Sequence, residues 1–260
     1  LQPQCDLVTG KIVGAEALVR WVAKDGTRLS PAEFIPVLEK NGFIVTLDKR
    51  VWSMVARWLA DAIARGIVPV PVSINVSRID ILAFDVPEFL RGLIEEHHLP
   101  PHLLEVEITE TAYMQDEGAM EAFTRRLREM GMTVLMDDFG TGRSSLSMLG
   151  DVSVDVIKLD RQFLPSADAS REQVERDESI MAGVIDMGHA LDLPLVVEGV
   201  ETEAQARLVL DLGARYVQGF YCYRPMPAQE FETLLADAAK TDLAGMTKPS
   251  ERGAFTPPTS

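Results

Sequence analysis

The sequence predicts an α/β fold in which a parallel sheet closes on itself as a (β/α)8 barrel. From about residue 70 onward, short runs rich in β-branched residues alternate with longer amphipathic stretches. This alternation is typical of parallel strands joined by right-handed helical crossovers. Roughly eight strands result when the opening segment is included, and this number favours a closed barrel over an open sheet. Periodicity alone does not separate the two arrangements.

The opening part of the chain is predicted to form two strands followed by two helices. Gly10 marks the turn between the strands. Ser30 followed by Pro31 is typical of a helix start, and Gly66 is a suitable residue just beyond the end of the second helix. The predicted strands cover 1–6 and 12–21, and the predicted helices begin at 31 and cover 46–64.

The remaining strands and helices alternate. The predicted strands cover 71–77, 103–110, 133–138, 154–160, 195–201 and 216–220. The predicted helices cover 87–97, 118–130, 144–149, 172–191, 203–212 and 228–239. Beyond about residue 240 there is no periodic apolar face, so residues 1–240 are predicted to form the folded domain and 241–260 a disordered tail.

The composition is that of a globular protein with an excess of acidic residues. Hydrophobic residues make up 47% and charged residues 25% of the 260 residues. The net charge of -15 argues against a nucleic-acid polymer as partner, because such a groove needs a basic face. If the substrate is nonetheless a phosphate ester, bound divalent cations are the usual means of attracting it.

The cysteines and the apolar runs indicate where the domain acts. Cys5 and Cys222 are too few for a disulfide framework or a cysteine-based zinc site, which favours a reducing compartment. No apolar run reaches the length of a membrane span, and no leader-like segment opens the chain. We therefore expect a cytoplasmic domain without direct membrane contact, or the cytoplasmic part of a membrane-anchored multidomain protein.

Polar residues recur near the carboxyl ends of the predicted strands. In a parallel barrel these ends meet at one face, where active sites are built, so residues dispersed along the chain converge. Carboxylate and amide oxygens are suitable ligands for Mg²⁺ or Mn²⁺. Two adjacent aspartates fit a site with two ions roughly 3.5–4 Å apart. The candidate residues are Glu16, Asn75, Glu107, Asp137, Asp138, Lys158, Glu198 and Gln218.

Several of these candidates also have a purely structural interpretation, which the residues alone leave open. Glu16 fits a solvent-facing strand edge, and Asn75 fits a loop cap. Asp137 and Asp138 fit a helix N-cap, and Gln218 fits an ordinary strand bend.

The same ambiguity applies to the remaining charged candidates. Glu105 and Glu107 lie in an alternating run, and we expect one of them to face the helices or solvent, without a signal for which. Lys158 fits a solvated strand-end charge that pairs with Glu198. Glu201 fits the start of a helix, where a negative charge is favourable.

Taken together in chain order, the candidate segments resemble the motifs of the EAL domain family. The resemblance extends from Leu1 to about Ala238. Leu1 and Arg143 stand where tyrosine is usual in the family, and the second departure bears on loop packing and on activation linked to dimer formation. The matching segments are Glu16-Ala17-Leu18-Val19-Arg20-Trp21, Asn75-Val76-Ser77, Glu107-Ile108-Thr109-Glu110, Asp137-Asp138-Phe139-Gly140-Thr141-Gly142, Lys158-Leu159-Asp160, Glu198-Gly199-Val200-Glu201 and Gln218-Gly219-Phe220.

The resemblance implies a barrel whose first strand runs antiparallel to its neighbours. It also implies a bacterial phosphodiesterase that linearises cyclic di-GMP to pGpG with two Mg²⁺ or Mn²⁺ ions and so terminates second-messenger signalling. Ca²⁺ is expected not to support turnover. A homodimer and upstream sensor or cyclase domains in a longer protein are further implications of the resemblance.

The resemblance also assigns roles to individual residues. The implied ligands are Glu16, Asn75, Glu107 and Asp137 for the first ion, with Asp137 shared and Asp138 serving the second. Glu16, Lys158 and Glu198 are the implied catalytic residues, of which Lys158 and Glu198 hold and help to deprotonate the attacking water. The implied substrate contacts are Gln2, Leu18, Arg20 and Asp160, and the implied supports of the loop and site are Glu110, Glu201 and Gln218.

Two other functions are alternatives to this hypothesis. One is a module that binds cyclic di-GMP without hydrolysing it, for which lost ligands or a lost loop motif would be typical. The other is an unrelated metal-dependent barrel hydrolase that acts on a different phosphodiester.

Overall fold

A computed structural model gives the architecture of residues 1–140, 153–166 and 170–245, with side chains through residue 238. The strands are β1 (Gln2–Asp6), β2 (Ile12–Glu16), β3 (Trp21–Val22), β4 (Arg28–Leu29), β5 (Val72–Asn75), β6 (Leu104–Thr109), β7 (Val134–Phe139), β8 (Val156–Leu159), β9 (Leu195–Glu198) and β10 (Tyr216–Gln218). The helices are α1 (Pro31–Asn41), α2 (Ile44–Ala64), α3 (Arg78–Ala83), α4 (Val86–His97), α5 (Glu110–Gln115), α6 (Glu117–Glu129), α7 (Arg171–Ala190), α8 (Glu203–Asp211) and α9 (Ala228–Gly245).

Eight of the ten strands in these ranges close into a barrel in the order β1-β10-β9-β8-β7-β6-β5-β2. Strand β1 pairs antiparallel with both β2 and β10, while every other pair of neighbours is parallel. Strands β3 and β4 form a separate two-stranded hairpin. The predicted (β/α)8 barrel is therefore confirmed, including the antiparallel orientation of its first strand.

The outer face of the barrel is apolar and forms the main core with the helices. On β6, Leu104, Val106 and Ile108 are at most 1% exposed and belong to this core. Because successive strand residues point to opposite faces, the intervening Glu105 and Glu107 point into the barrel. The interior of the barrel is thus where the polar side chains gather.

The structure contains short elements that the sequence analysis does not predict, namely the β3–β4 hairpin, α3 and α5. Strand β2 ends at Glu16, and Trp21 belongs to the hairpin instead. Glu110 lies in α5 rather than at the end of a strand, because the Thr109 side chain accepts a hydrogen bond from Ala112 N and caps that helix. The predicted start of α1 after Ser30 is confirmed by a capping box with Glu33.

The last helix is longer than predicted. Helix α9 continues to Gly245, beyond the predicted end at residue 239. The predicted helix at 144–149, the loop residue Arg143 and the tail from 246 onward lie outside the described residues.

No helix within the described ranges is both long and apolar enough to cross a lipid bilayer.

Candidate functional site

Lys158 on β8 is fully buried at the mouth of the barrel and surrounded by carboxylates. Its Nζ lies 2.6 Å from Glu198 Oε1 and 2.7 Å from Glu107 Oε2. The distances from Nζ to Glu16 Oε2 and Asp137 Oδ1 are 3.2 and 3.3 Å. Lys158 is therefore not a solvated charge at a strand end. Its contacts bring together acids from four different strands.

The ammonium and the acids shift one another's ionisation. Burial opposes the charged form of Lys158, but the surrounding carboxylates outweigh it and hold the pKa of Lys158 well above its usual value. Burial also opposes ionisation of Glu16, but the charge of Lys158 and hydrogen bonds to the carboxylate lower the pKa of Glu16. Burial and the charge of Glu16 raise the pKa of Glu107. Several buried carboxylates thus share a single ammonium, and burial and mutual repulsion oppose their full ionisation.

Asp137 and Asp138 both lie at the barrel mouth, where the end of β7 is irregular. The pairing of β7 with β8 shifts register between Met136 and Phe139. Asp138 has a φ of 54°, in the left-handed region that aspartate tolerates better than most residues. A bulge re-aims a side chain that regular alternation would place on the opposite face. Because β7 continues through Phe139, neither aspartate is a helix N-cap.

The acids fit divalent cations. Carboxylate oxygens of Asp137, Asp138 and Glu198 lie within 4.8 Å of one another. Glu107 Oε1 and Asp137 Oδ1 are buried and accept no hydrogen bond within the described part of the chain. With Glu16, five carboxylates face the one ammonium of Lys158, an excess of four negative charges if all are ionised. Such oxygen ligands are suited to Mg²⁺ or Mn²⁺, which would also supply the missing positive charge.

Like Glu107, Glu198 and Asp138 have pKa values above those of the free acids. Burial is the main cause for Glu198 and raises its pKa to about 7, although the charge of Lys158 opposes this change. Burial and the charge of Asp137 raise the pKa of Asp138. A carboxyl group with a pKa near 7 is matched to proton transfer at neutral pH.

Amide side chains hold Glu16 in place. Asn75 Nδ2 donates to Glu16 Oε1 at 2.9 Å, and Gln218 Nε2 donates to Glu16 Oε2 at 2.6 Å. Glu16 is 5% exposed, which excludes a solvent-facing strand edge, and the cap of α3 is Ser77 rather than Asn75. Gln218 is part of this network and not only a strand bend.

Gln4 belongs to the same network, although the sequence analysis does not single it out. Its Nε2 donates to Gln218 Oε1 at 3.0 Å, so it orients the amide that holds Glu16. The available signal is its spacing of two residues from Gln2, because both residues then share the inner face of β1. Gly14 makes room for Gln4, since a Cβ there would lie 2.7 Å from Gln4 Oε1.

The expectation that either Glu105 or Glu107 faces away from the barrel interior is wrong. Residues two apart on a regular strand share a face, and β6 pairs with β5 without a break, Glu105 opposite Ser73 and Glu107 opposite Asn75. Glu105 therefore lies one layer below Glu107 inside the barrel. Burial raises the pKa of Glu105 to about 7.

The remaining predicted residues lie around the rim. Gly140 N donates to Glu110 Oε2 at 2.6 Å, so the buried Glu110 contacts the start of the loop that follows β7. Asp160 lies close enough to Asp138 for its charge to help raise the pKa of that residue. Glu201 is exposed just before α8, in agreement with its interpretation as a residue at a helix start.

Two cavities adjoin the acids. The larger has a volume of about 770 Å³, and Arg20 on its wall is exposed. The smaller has a volume of about 300 Å³. Candidate residues that line the larger cavity are Glu16, Leu18, Arg20, Asn75, Asp137 and Asp138. Those that line the smaller cavity are Gln2, Glu16, Leu18, Asp137, Glu198, Glu201 and Gln218.

The family assignment follows from a comparison with known proteins. The sequence profile of the EAL domain family matches residues 1–225, which include every acid of the cluster. The chain is an EAL domain. The proposed EAL resemblance is thereby confirmed.

The EAL domain is similar to parts of longer curated proteins. The bifunctional diguanylate cyclase/cyclic di-GMP phosphodiesterase MucR of Pseudomonas aeruginosa is 33% identical over 238 residues, which cover 92% of this chain and 34% of MucR. The probable cyclic di-GMP phosphodiesterase PdeB of Escherichia coli is 33% identical over 234 residues, which cover 88% of this chain and 43% of PdeB. The chain thus spans less than half of the length of either relative.

Solved EAL structures share the fold. The MucR phosphodiesterase in complex with c-di-GMP superposes with a TM-score of 0.82 at 32% identity, covering 88% of this chain and 92% of that structure. The EAL domain of Mycobacterium smegmatis DcpA gives a TM-score of 0.76 at 32% identity, covering 91% of this chain and 96% of that domain.

Proposed function

We propose that this EAL domain hydrolyses cyclic di-GMP to linear pGpG with two Mg²⁺ or Mn²⁺ ions. The observation that carries the proposal is the cluster of five carboxylates around Lys158, which opens into a cleft of about 770 Å³. With all five carboxylates ionised, their excess of four negative charges over Lys158 would equal the charge of two divalent cations. The cyclic di-GMP phosphodiesterase names of MucR and PdeB support the choice of substrate.

The residues proposed to bind the ions are those whose side-chain oxygens lie together at the mouth of the barrel. Glu16, Asn75, Glu107 and Asp137 would bind the first ion, and Asp138 would bind the second with Asp137 shared. A bound divalent cation polarises a phosphoryl oxygen and lowers the pKa of water. The protein itself provides the fixed oxygen ligands, held by the hydrogen bonds of Asn75 and Gln218 to Glu16.

Glu198 and Lys158 are proposed to handle the proton and the orientation of the attacking water. Glu198 lies beside Asp137 and Asp138, with carboxylate oxygens within 4.8 Å of one another, and is proposed as the base that accepts the proton of the water. Lys158 Nζ fixes Glu198 at 2.6 Å and keeps its positive charge, because its pKa is raised well above the usual value. A fixed ammonium stabilises negative charge that develops on the phosphoryl group.

Substrate binding is proposed to occur in the two cavities. Arg20, exposed on the wall of the larger cleft, offers a guanidinium to a phosphate. Leu18 lies between the two cavities, and Gln2 lines the smaller one. Asp160 is proposed as a further contact from the end of β8.

The setting of the domain is proposed from the length of its relatives. Because the chain covers 34% of MucR and 43% of PdeB, we propose that upstream sensor or cyclase domains accompany it in a longer protein. A homodimer and a cytoplasmic location are proposed from the family resemblance alone.

The test is cleavage of cyclic di-GMP by the purified domain with Mg²⁺, Mn²⁺ or Ca²⁺, with pGpG measured by chromatography. We expect turnover with Mg²⁺ and Mn²⁺ and none with Ca²⁺. Glu16→Ala should abolish turnover, because it removes a proposed ligand and the acceptor of two amide hydrogen bonds. Glu96→Ala, which removes an exposed carboxylate on α4, is the matched control and should cleave at the parent rate.

Three outcomes would contradict the proposal. Turnover by Glu16→Ala at the parent rate would exclude the assigned site. Binding of cyclic di-GMP without pGpG formation under both metals would instead indicate a sensor module. Cleavage of other phosphodiesters in preference to cyclic di-GMP would indicate a different hydrolase.

A further inference from the structure

The carboxyl end of β5 is held from outside the sheet by a tryptophan. Trp52 on α2 is 0% exposed, and its indole Nε1 donates to the backbone carbonyl of Asn75 at 3.0 Å. Asn75 is the last residue of β5 and the only amide among the proposed metal ligands. A side chain on a different element therefore fixes the peptide that carries a proposed ligand.

The indole itself is held by aromatic packing. The ring of Trp52 lies 6.1 Å from Phe84 and 5.9 Å from Phe89, and these two phenylalanines pack edge to face. Lys49 Nζ lies 3.6 Å from the centre of the Phe84 ring. Such contacts restrain the tilt of the indole and thus the direction of its N–H.

The residues that follow Asn75 are fixed as well. Val76 N donates to Glu107 O at 2.9 Å, and Ser77 N donates to the buried Asp80 Oδ2 at 2.9 Å. The peptide of Asn75 is thus fixed on one side by Trp52 and on the other by the sheet and the cap of α3.

The direction of the Asn75 side chain follows from this restraint. Its Nδ2 donates to Glu16 Oε1 at 2.9 Å, and because a carboxylate only accepts, the amide oxygen is the atom left to bind a cation. A rotation of the Asn75 peptide would displace the side-chain amide, and with it both the Nδ2 that donates to Glu16 and the amide oxygen.

We propose that Trp52 is a positioning residue, which directs the side chain of Asn75 toward the metal site through its hydrogen bond to the Asn75 carbonyl. The inference rests on the proposed function, in which Asn75 binds a divalent cation. It predicts an effect on cation affinity and little effect on the chemical step, because the hydrogen bond of Trp52 goes to a backbone oxygen and not to a reacting group.

The test uses Trp52→Phe, which removes the N–H and keeps an aromatic ring. Calorimetric titration with Mn²⁺ should show about fivefold weaker binding, the equivalent of one hydrogen bond to a buried carbonyl. The turnover number at saturating Mn²⁺ should stay within about twofold of the parent, so that the loss appears only in the Mn²⁺ concentration for half-maximal rate.

Trp58→Phe is the matched control on the same helix. Trp58 packs against Phe231 with ring centres 5.8 Å apart, and its Nε1 has no acceptor within the described part of the chain. We therefore expect its Mn²⁺ affinity to equal that of the parent. Equal losses in the two variants, or parent-like Mn²⁺ binding by Trp52→Phe, would overturn the proposal.

A double-mutant cycle with Asn75→Ala tests the route of the effect. If Trp52 acts through Asn75, Trp52→Phe should weaken Mn²⁺ binding no further in the Asn75→Ala background. Independent, additive losses would contradict the proposal. Calorimetry measures Mn²⁺ binding independently of catalysis, so the two proposals can fail separately. A parent protein that binds Mn²⁺ but does not cleave cyclic di-GMP would refute the proposed function. The same double-mutant cycle would still test the role of Trp52 in Mn²⁺ binding.

A measurement on the parent protein covers the case in which Trp52→Phe does not fold. The chain has three tryptophans, so three indole N–H signals are expected in a nitrogen-15 correlation spectrum. Titration with Mg²⁺ should shift the signal of Trp52 and leave that of Trp58 in place. A Trp52 signal that does not respond to Mg²⁺ binding would overturn the proposal.

Discussion

Glu198 is placed where its environment largely cancels the usual preference of a carboxyl group for its charged form. Burial disfavours the carboxylate, and the neighbouring acids add repulsion, while the contact with Lys158 at 2.6 Å favours it. The balance raises the pKa of Glu198 to about 7. In the metal-free protein, its contribution to stability is therefore full below the pKa of the unfolded chain and is lost as pH rises through about 7.

This sign predicts a pH-dependent effect of Glu198→Gln on folding. Without metal, the variant should have a higher unfolding free energy than the parent, and this advantage should be larger at pH 8 than at pH 5.5, by on the order of 2 kcal/mol. Urea denaturation at both pH values in the presence of a chelator measures the difference. If the variant and the parent differed in unfolding free energy by the same amount at both pH values, Glu198 would not change its charge in this range.

The aspartate pair gives a second prediction at the residue level. Asp137→Asn should weaken both cation sites, because Asp137 is the proposed shared ligand, whereas Asp138→Asn should weaken mainly one. Calorimetric Mn²⁺ titration distinguishes the two patterns. Identical losses in the two variants would remove the basis for a shared role of Asp137.

The acids that gather at the barrel mouth have a signal in the sequence, whereas the residues that hold them have little. Glu16, Glu107 and Glu198 stand out because each is a charged residue in an apolar run, which is costly without a partner or ion. Trp52 has no comparable signal, since an aromatic residue on a helix fits an ordinary core and its acceptor lies 23 positions away. The joint orientation of Asp137 and Asp138 depends on a bulge, which alternation alone does not predict.

At the level of elements, the ends of β9 and β10 approach so closely that only glycine fits at position 219. A Cβ on Gly219 would lie 2.1 Å from Val200 O and 2.5 Å from Val200 N, both backbone atoms. Val200 N also donates to Gln218 O at 3.3 Å, so a displacement here reaches the amide that holds Glu16.

Gly219→Ala should therefore lower the unfolding free energy by about 2–3 kcal/mol, as expected for an overpacked site. Gly92→Ala in α4 is the control. Apart from its own helix backbone and chain neighbours, no atom of the described residues lies within 4 Å of the added methyl group, and the helix should gain about 0.5–1 kcal/mol. Thermal and urea unfolding of both variants test this contrast. A neutral Gly219→Ala would show that the two strand ends separate easily.

The elements that the sequence does not predict are short. Strands β3 and β4 have two residues each, too few to show an alternating pattern. Helices α3 and α5 have six residues each, less than two turns, so no helical periodicity can be recognised. The longer helices and the barrel strands repeat their pattern often enough to be predicted, with errors concentrated at their ends.

At the level of the whole molecule, the antiparallel strand β1 closes the barrel, and an ion pair reinforces that closure. Arg215, just before β10, donates from Nε to Asp6 Oδ1 at 2.7 Å. Asp6 is 2% exposed at the end of β1, and its pKa lies well below the usual value, chiefly because of the hydrogen bond from Arg215. The pair therefore stabilises the fold at neutral pH and loses its effect in acid.

Arg215→Ala should lower the unfolding free energy at pH 7 by about 2 kcal/mol, because it leaves the Asp6 charge buried. Arg65→Ala is the control. Arg65, just after α2, pairs at the surface with Glu232 on α9, with side chains 51% and 22% exposed. We expect a change within about 0.5 kcal/mol there. Urea denaturation at pH 7 gives the unfolding free energy of both variants. Equal losses in the two would show that the Arg215–Asp6 pair contributes no more to stability than a surface ion pair.

Lys158 also bears on how the domain responds to the supply of ions in a cell. Its ammonium acts as a built-in counterion, so the mouth of the barrel holds one positive charge before any cation arrives. Small domains whose folding depends on a metal unfold when the ion is removed. Here, loss of the ions should stop the proposed hydrolysis and leave a folded protein, which regains the activity when the ions return.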